Sequence, residues 1–159
     1  MRYVVASSSD SVVRECRNML GSHPDIEIRM GSVPETGSDC DAVILNSPLA
    51  HERYGGSPLI GRVQILANRR DDGAPEAILV AAPISASSAV ANPSDVEIEN
   101  RVAEVLETCV SAFAARFSDA DSKPRILVHL EGAGIDRPDI KVPLRGVLRF
   151  LNSAGGVGS

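Results

Sequence analysis

Apolar positions along the chain switch between two spacings. Tyr3-Val4-Val5, inside Arg2 to Ala6, is a short continuous apolar run of the kind a buried strand makes. Ser7-Ser8-Ser9-Asp10 is a helix-start signal, after which Val12, Val13, Cys16, Met19 and Leu20 recur at helical spacing until Gly21 and Pro24 stop them. Ile26, Ile28 and Met30 alternate with charged residues and predict a second strand. Ala42 to Leu45 predicts a third, ending at Asn46-Ser47-Pro48. Leu49 to Pro58 carries loop signals, with Gly55-Gly56 in its middle. Val63, Ile65 and Ala67 alternate, Arg69-Arg70-Asp71-Asp72-Gly73 makes a polar turn, and Ala77 to Ala82 is apolar again, which together read as an antiparallel hairpin.

After a Ser- and Ala-rich connection from Pro83 to Pro93, Pro93-Ser94 opens the longest helix. Ser94 and Glu97 have the spacing of a capping box, and Ile98, Val102, Val105, Leu106, Cys109, Val110, Phe113 and Phe117 form one apolar stripe. Ile126 to Leu130 reads as the last strand. Val142, Leu144, Val147, Leu148 and Leu151 predict a final helix with Pro143 in its first turn, where proline is tolerated. The order β-α-β-β-β-β-α-β-α predicts an α/β fold, a three-layer α/β/α sandwich with a mixed central sheet. Residues 1–152 read as a single domain and 153–159 as a flexible glycine-rich tail.

The 159 residues suffice for one domain with a real core. A net charge of −5 argues against a large non-specific nucleic-acid surface, and 3% aromatic content against stacking platforms for single strands. Fourteen arginines against two lysines read as genome bias of a bacterial type. Cys16, Cys40 and Cys109 are far apart and form no CxxC or Cys/His cluster, so they read as buried hydrophobes rather than a metal site. No apolar stretch reaches membrane-spanning length and no basic segment precedes a hydrophobic one, so the expected location is the cytoplasm. A monomer is expected.

The candidate chemistry lies in Gly132-Ala133-Gly134-Ile135-Asp136-Arg137-Pro138, directly after the last strand. A glycine-rich turn there exposes backbone N–H groups suited to phosphate oxygens, and Asp136 stands where it can reach what they hold. In open α/β sheets ligands sit beyond the carboxyl ends of the strands. That places Gly31-Ser32, Asn46-Ser47 and Gly55-Gly56 with the Gly132 loop as candidate ligand-binding segments. Asp136 is equally a helix N-cap by position. Asn46 suits a ribose hydroxyl because an amide both donates and accepts, or it is an ordinary strand-end turn. His51, Arg69 and Arg70 read as solvated surface, Tyr54 as a possible stacking partner of a ribose, and His129 as a core or sheet-face histidine.

Gly132 to Arg137, with an apolar helix following, resembles the second ligand loop of macrodomains, closest to the branch that removes terminal ADP-ribose from acidic side chains. Met30-Gly31-Ser32-Val33 is similar to that family's glycine-aspartate-isoleucine turn, Asp41 to Asn46 to its next strand, and Gly55-Gly56 to its first phosphate loop. The resemblance implies a macrodomain-like fold that binds ADP-ribose through Ser32, Val33, Asn46, Ser47, Gly55, Gly56, Gly132, Ala133, Gly134, Ile135 and Arg137. It implies hydrolysis of the ADP-ribosyl bond on modified proteins, with Asp136 as general base and neither metal nor cofactor. Ser32 replaces the family's adenine-binding aspartate, which shifts that recognition towards backbone groups such as that of Val33. Ile65 to Arg69 lacks the branch's nucleophilic lysine, and arginine stays protonated and cannot replace it. Ser57-Pro58-Leu59 does not match the other branch, which has an aspartate just after the first-loop glycines.

The alternatives are a non-catalytic ADP-ribose reader, which the missing lysine favours, and a hydrolase of ADP-ribosylated nucleic acid, which the negative charge disfavours. A receiver-type domain needs clustered acids after its first strand, where this chain has Ala6-Ser7-Ser8-Ser9.

Overall fold

The computed structural model describes residues 2–55, 64–69, 72–75, 77–81, 94–116, 124–133, 135 and 139–158, with side chains left aside at 47–49, 51, 81, 116 and 154–158. Along the chain run β1 (Arg2–Ser7), α1 (Asp10–Leu20), β2 (Ile26–Met30), α2 (Val33–Gly37), β3 (Ala42–Asn46) and α3 (Ser47–Tyr54). These are followed by β4 (Gln64–Ala67), β5 (Ala77–Ala81), α4 (Asp95–Arg116), β6 (Arg125–His129) and α5 (Lys141–Gly158). Among the described residues the six strands form one mixed sheet in the order β2-β1-β6-β3-β5-β4. Every pairing is parallel except that of β4 with β5, so the carboxyl ends of β1, β2, β3, β5 and β6 share one edge.

Period-2 alternation splits the sheet's side chains between two cores. Tyr3, Val5, Ala42, Ile44, Leu79, Ile126 and Val128 face α1, α4 and α5, where Cys16, Leu20, Val102, Leu106, Phe113, Val147 and Phe150 are buried against them. Tyr3 and Phe150 meet edge to face, with ring centroids 5.6 Å apart. Val4, Ala6, Val43, Leu45, Ile78, Val80 and Leu127 face the other way, towards Val33 of α2 and Ala50 of α3. Helices therefore cover both faces. The expected α/β class with a mixed sheet is observed, including the antiparallel β4–β5 hairpin.

Three segments differ from expectation. The turn after Met30 continues into α2, because Ser32 and Glu35 form a capping box: Ser32 Oγ accepts from the Glu35 N–H at 3.4 Å and Glu35 Oε1 accepts from the Ser32 N–H at 3.0 Å. The segment from Leu49, expected to be loop, is helical through Tyr54. Ser47-Pro48, which ends a strand in the sequence reading, also starts a helix, since proline's fixed φ and missing N–H suit a first turn. Gly55, at φ +79°, then lets the chain leave that helix. At the C-terminus, α5 runs on to Gly158 through most of the stretch read as a tail. No helix among the described residues is long and apolar enough to cross a membrane.

Candidate functional site

The parallel edge gathers the ends of β1, β2, β3 and β6, and polar contacts tie them together. Gly31, at φ +145°, makes a turn after β2 that a side chain would strain. Its N–H donates to the carbonyl of Ser7 at 3.0 Å. Its own carbonyl accepts from Ser8 Oγ at 3.2 Å and bonds His129 Nε2 at 2.8 Å. His129, the last residue of β6, is buried at 4% exposure, and its Nδ1 accepts from the Gly132 N–H at 3.2 Å. An amide can only donate, so Nδ1 is the bare nitrogen, and Nε2 carries the proton given to Gly31. The Gly132 carbonyl in turn accepts from the Asn46 N–H at 2.9 Å, which joins the end of β3 to the same loop.

A second tie runs from β6 to β1. Glu131 Oε1 accepts from Ser7 Oγ and from the Ser8 N–H, both at 2.8 Å. Glu131 Oε2 is buried without a hydrogen-bond partner among the described residues. Glu131 thus brings a carboxylate to this edge, held by the turn after β1. Sequence reasoning passed over it in favour of Asp136, which lies outside the described residues, as do Gly56, Gly134 and Arg137.

The expectation that the Gly132 loop exposes bare amides is corrected for three of its residues. The N–H of Gly132 goes to His129 Nδ1, that of Ala133 to the His129 carbonyl at 2.8 Å, and that of Ile135 to the Leu130 carbonyl at 2.9 Å. Residues 130–133 wind into a turn, these three amides are satisfied within the chain, and Gly132, Ala133 and Ile135 are all buried. Glycine fits closely at 132: a Cβ there would stand 3.0 Å from Leu45 Cδ2, which would have to shift by a few tenths of an ångström.

At the β2 end, the Ser32 hydroxyl and N–H are committed to the capping box, which holds the Glu35 carboxyl below its ordinary range. The Val33 N–H, in the first turn of α2, has no partner among the described residues. Ser47 opens α3 directly after Asn46. Gly55 lies at the far end of that helix. Tyr54 Oη donates there to Asp72 Oδ2 at 2.7 Å, in the β4–β5 turn at the amino end of β5, so Gly55 does not pair with the Gly132 loop in any described contact. Arg53, Tyr54, Leu66, Ala67 and Arg69 line a cavity of about 400 Å³ beside that turn, and a smaller one of about 290 Å³ lies at the amino ends of β1, β2 and β6. No group of three or more His, Cys, Asp or Glu suited to a metal ion occurs among the described residues.

Comparison with known proteins adds no family. No protein-family model matches the chain, and no curated protein or solved structure matches it.

Proposed function

We propose that this chain binds ADP-ribose, or a protein carrying it, across the carboxyl edge of its sheet, and hydrolyses the ADP-ribosyl bond. The observation that supports the reading is one hydrogen-bonded network joining three distant segments: the Gly31–Val33 turn, Asn46 and the Gly132 loop. These are the segments the macrodomain resemblance assigns to a single ligand, and an edge of parallel strand ends is where α/β sheets bind ligands.

In this reading the Val33 N–H takes an acceptor on the adenine, because the Ser32 groups already serve the helix cap. The amides of Gly132, Ala133 and Ile135 are internally bonded, so these residues contribute to the diphosphate site through the shape of the loop rather than through their own N–H groups. Asp136 accepts a proton from the attacking water at the distal ribose. A second reading, a binder without hydrolysis, is favoured by the lack of a lysine in Ile65 to Arg69.

Calorimetry with ADP-ribose tests the binding claim, and silence at millimolar ligand ends it. Incubation with ADP-ribosylated protein then separates hydrolase from reader by loss of the label. An Asp136→Ala variant that still binds and no longer cleaves supports the catalytic role of that residue.

A further inference from the structure

We infer that His129 is a positioning residue that makes the Gly31 turn and the Gly132 loop a single binding element for a two-part ligand. Its imidazole touches both: Nε2 lies 2.8 Å from the Gly31 carbonyl and Nδ1 3.2 Å from the Gly132 amide. Gly31 is also fixed by Ser7 and Ser8, and Gly132 by Asn46 through its carbonyl. The ring is almost wholly buried, and losing it leaves the Gly132 amide without its acceptor and the Gly31 carbonyl with Ser8 Oγ alone among its side-chain donors.

The consequence concerns the chemical class of ligand. One half of a ligand that tightens the Gly31–Val33 turn is felt at Gly132 through the imidazole, so the two halves favour each other's binding. A ligand joining a nucleoside to a second phosphorylated sugar gains from this, and either half alone gains less. Only the identity of the ligand rests on the ADP-ribose reading; the coupling between the two loops does not.

Two measurements without ligand test the coupling. In the wild-type protein, long-range proton–nitrogen NMR of the imidazole is expected to show a protonated Nε2 and a bare Nδ1; the opposite tautomer overturns the inference. In His129→Phe, which keeps a ring of similar bulk, amide exchange is expected to accelerate at Gly31 and Gly132 together, by about tenfold or more, while amides in the middle of α4 keep wild-type protection. Acceleration at one loop only, or equally throughout the chain, overturns it. Should that variant fail to fold, His129→Gln is measured in the same way, and the tautomer result decides independently. With ligand, AMP and ribose 5-phosphate are expected to favour each other's binding to wild type and to be independent in the variant, and ADP-ribose affinity is expected to fall about tenfold. A wild type that ignores ADP-ribose but shows coupled exchange discards the functional reading and keeps the coupling. A variant with unchanged exchange and unchanged affinity discards the coupling and keeps the reading.

Discussion

Gly146 of α5 lies against Val102 of α4 so closely that a Cβ on the glycine would stand 2.8 Å from the Val102 Cβ and 2.7 Å from the Glu99 carbonyl oxygen. The two helices meet there nearly backbone to backbone, and Arg145 closes the same contact with an ion pair to Glu99 at 3.2 Å. Two effects compete in Gly146→Ala. Alanine gains about 1 kcal/mol of helix propensity. Against this, overpacking a tight contact costs about 1–3 kcal/mol, and a carbonyl and a Cβ cannot swing aside as the tip of a long side chain can. The overlap is expected to win. A thermal melt should show a lowered midpoint, by roughly 2–4 °C for each kcal/mol lost in a chain of this size. A variant as stable as wild type would show that the helices separate without penalty.

Gly31 makes a sharper case at the candidate site. Its φ of +145° excludes ordinary side chains, and an added Cβ would also meet Glu35 Cβ and Thr36 Cγ2 at 3.2 Å each. Gly31→Ala should lose about 1–3 kcal/mol from backbone strain alone. It should also displace the carbonyl that His129 and Ser8 hold. Urea denaturation reads the first effect, and NMR shifts of the Val33 and Gly132 amides read the second. An alanine variant of wild-type stability with unmoved amides would exclude both.

The sheet was readable because its strands are apolar runs bounded by turn residues, as in Ala42 to Leu45, and burial on both faces leaves them no other role. Helices α2 and α3 were harder, since Ser32 and Ser47-Pro48 serve equally as turn and helix-start signals. The Ser-x-x-Glu spacing of Ser32 and Glu35 was nonetheless visible and marks α2. The role of His129 was not readable at all. It depends on Gly31, 98 positions earlier, arriving at the next but one strand of the sheet. The same holds for the satisfied amides of the Gly132 loop: glycines indicate that a backbone can be approached closely, not which atom does so. Glu131 was hidden because its partners, Ser7 and Ser8, read locally as the start of α1.

The three thiols should be unreactive in the folded protein. Burial pushes Cys16 and Cys40 up to about 11 and Cys109 up to about 12, with neighbouring acids adding to the first two. At pH 8 the thiolate fraction of each is on the order of one in a thousand or less, and the sulfurs are covered as well. A chromogenic disulfide reagent should therefore label none of them in buffer and three per chain in denaturant, with the slow native reaction following unfolding. Rapid labelling of any one in buffer would place that sulfur at the surface.

Asp39 should make the fold sensitive to acid in a defined window. Its carboxylate joins Arg29 through two bonds, at 2.5 and 3.0 Å, and takes another from Arg125 at 2.8 Å. Arg29 also donates to the Thr36 carbonyl at 2.8 Å, so this cluster fastens α2 and the start of β6 to β2. The Arg29 guanidinium holds the Asp39 carboxyl down to about 2, against an ordinary value near 3.8. A depressed folded-state value means that the stabilisation is complete above the unfolded-state value and disappears as pH falls through the folded one. Asp39→Asn should accordingly be less stable than wild type at pH 7, with the gap closing between about pH 4 and pH 2. Because the Asp39 side chain is 45% exposed, water and salt screen the pair, and the difference at pH 7 should be about 1 kcal/mol or less, shrinking further in 1 M salt. Paired urea titrations of the two proteins from pH 7 to pH 2, at low and high salt, measure it. A gap that persists unchanged at pH 2 would assign the loss to packing of the asparagine rather than to the charge.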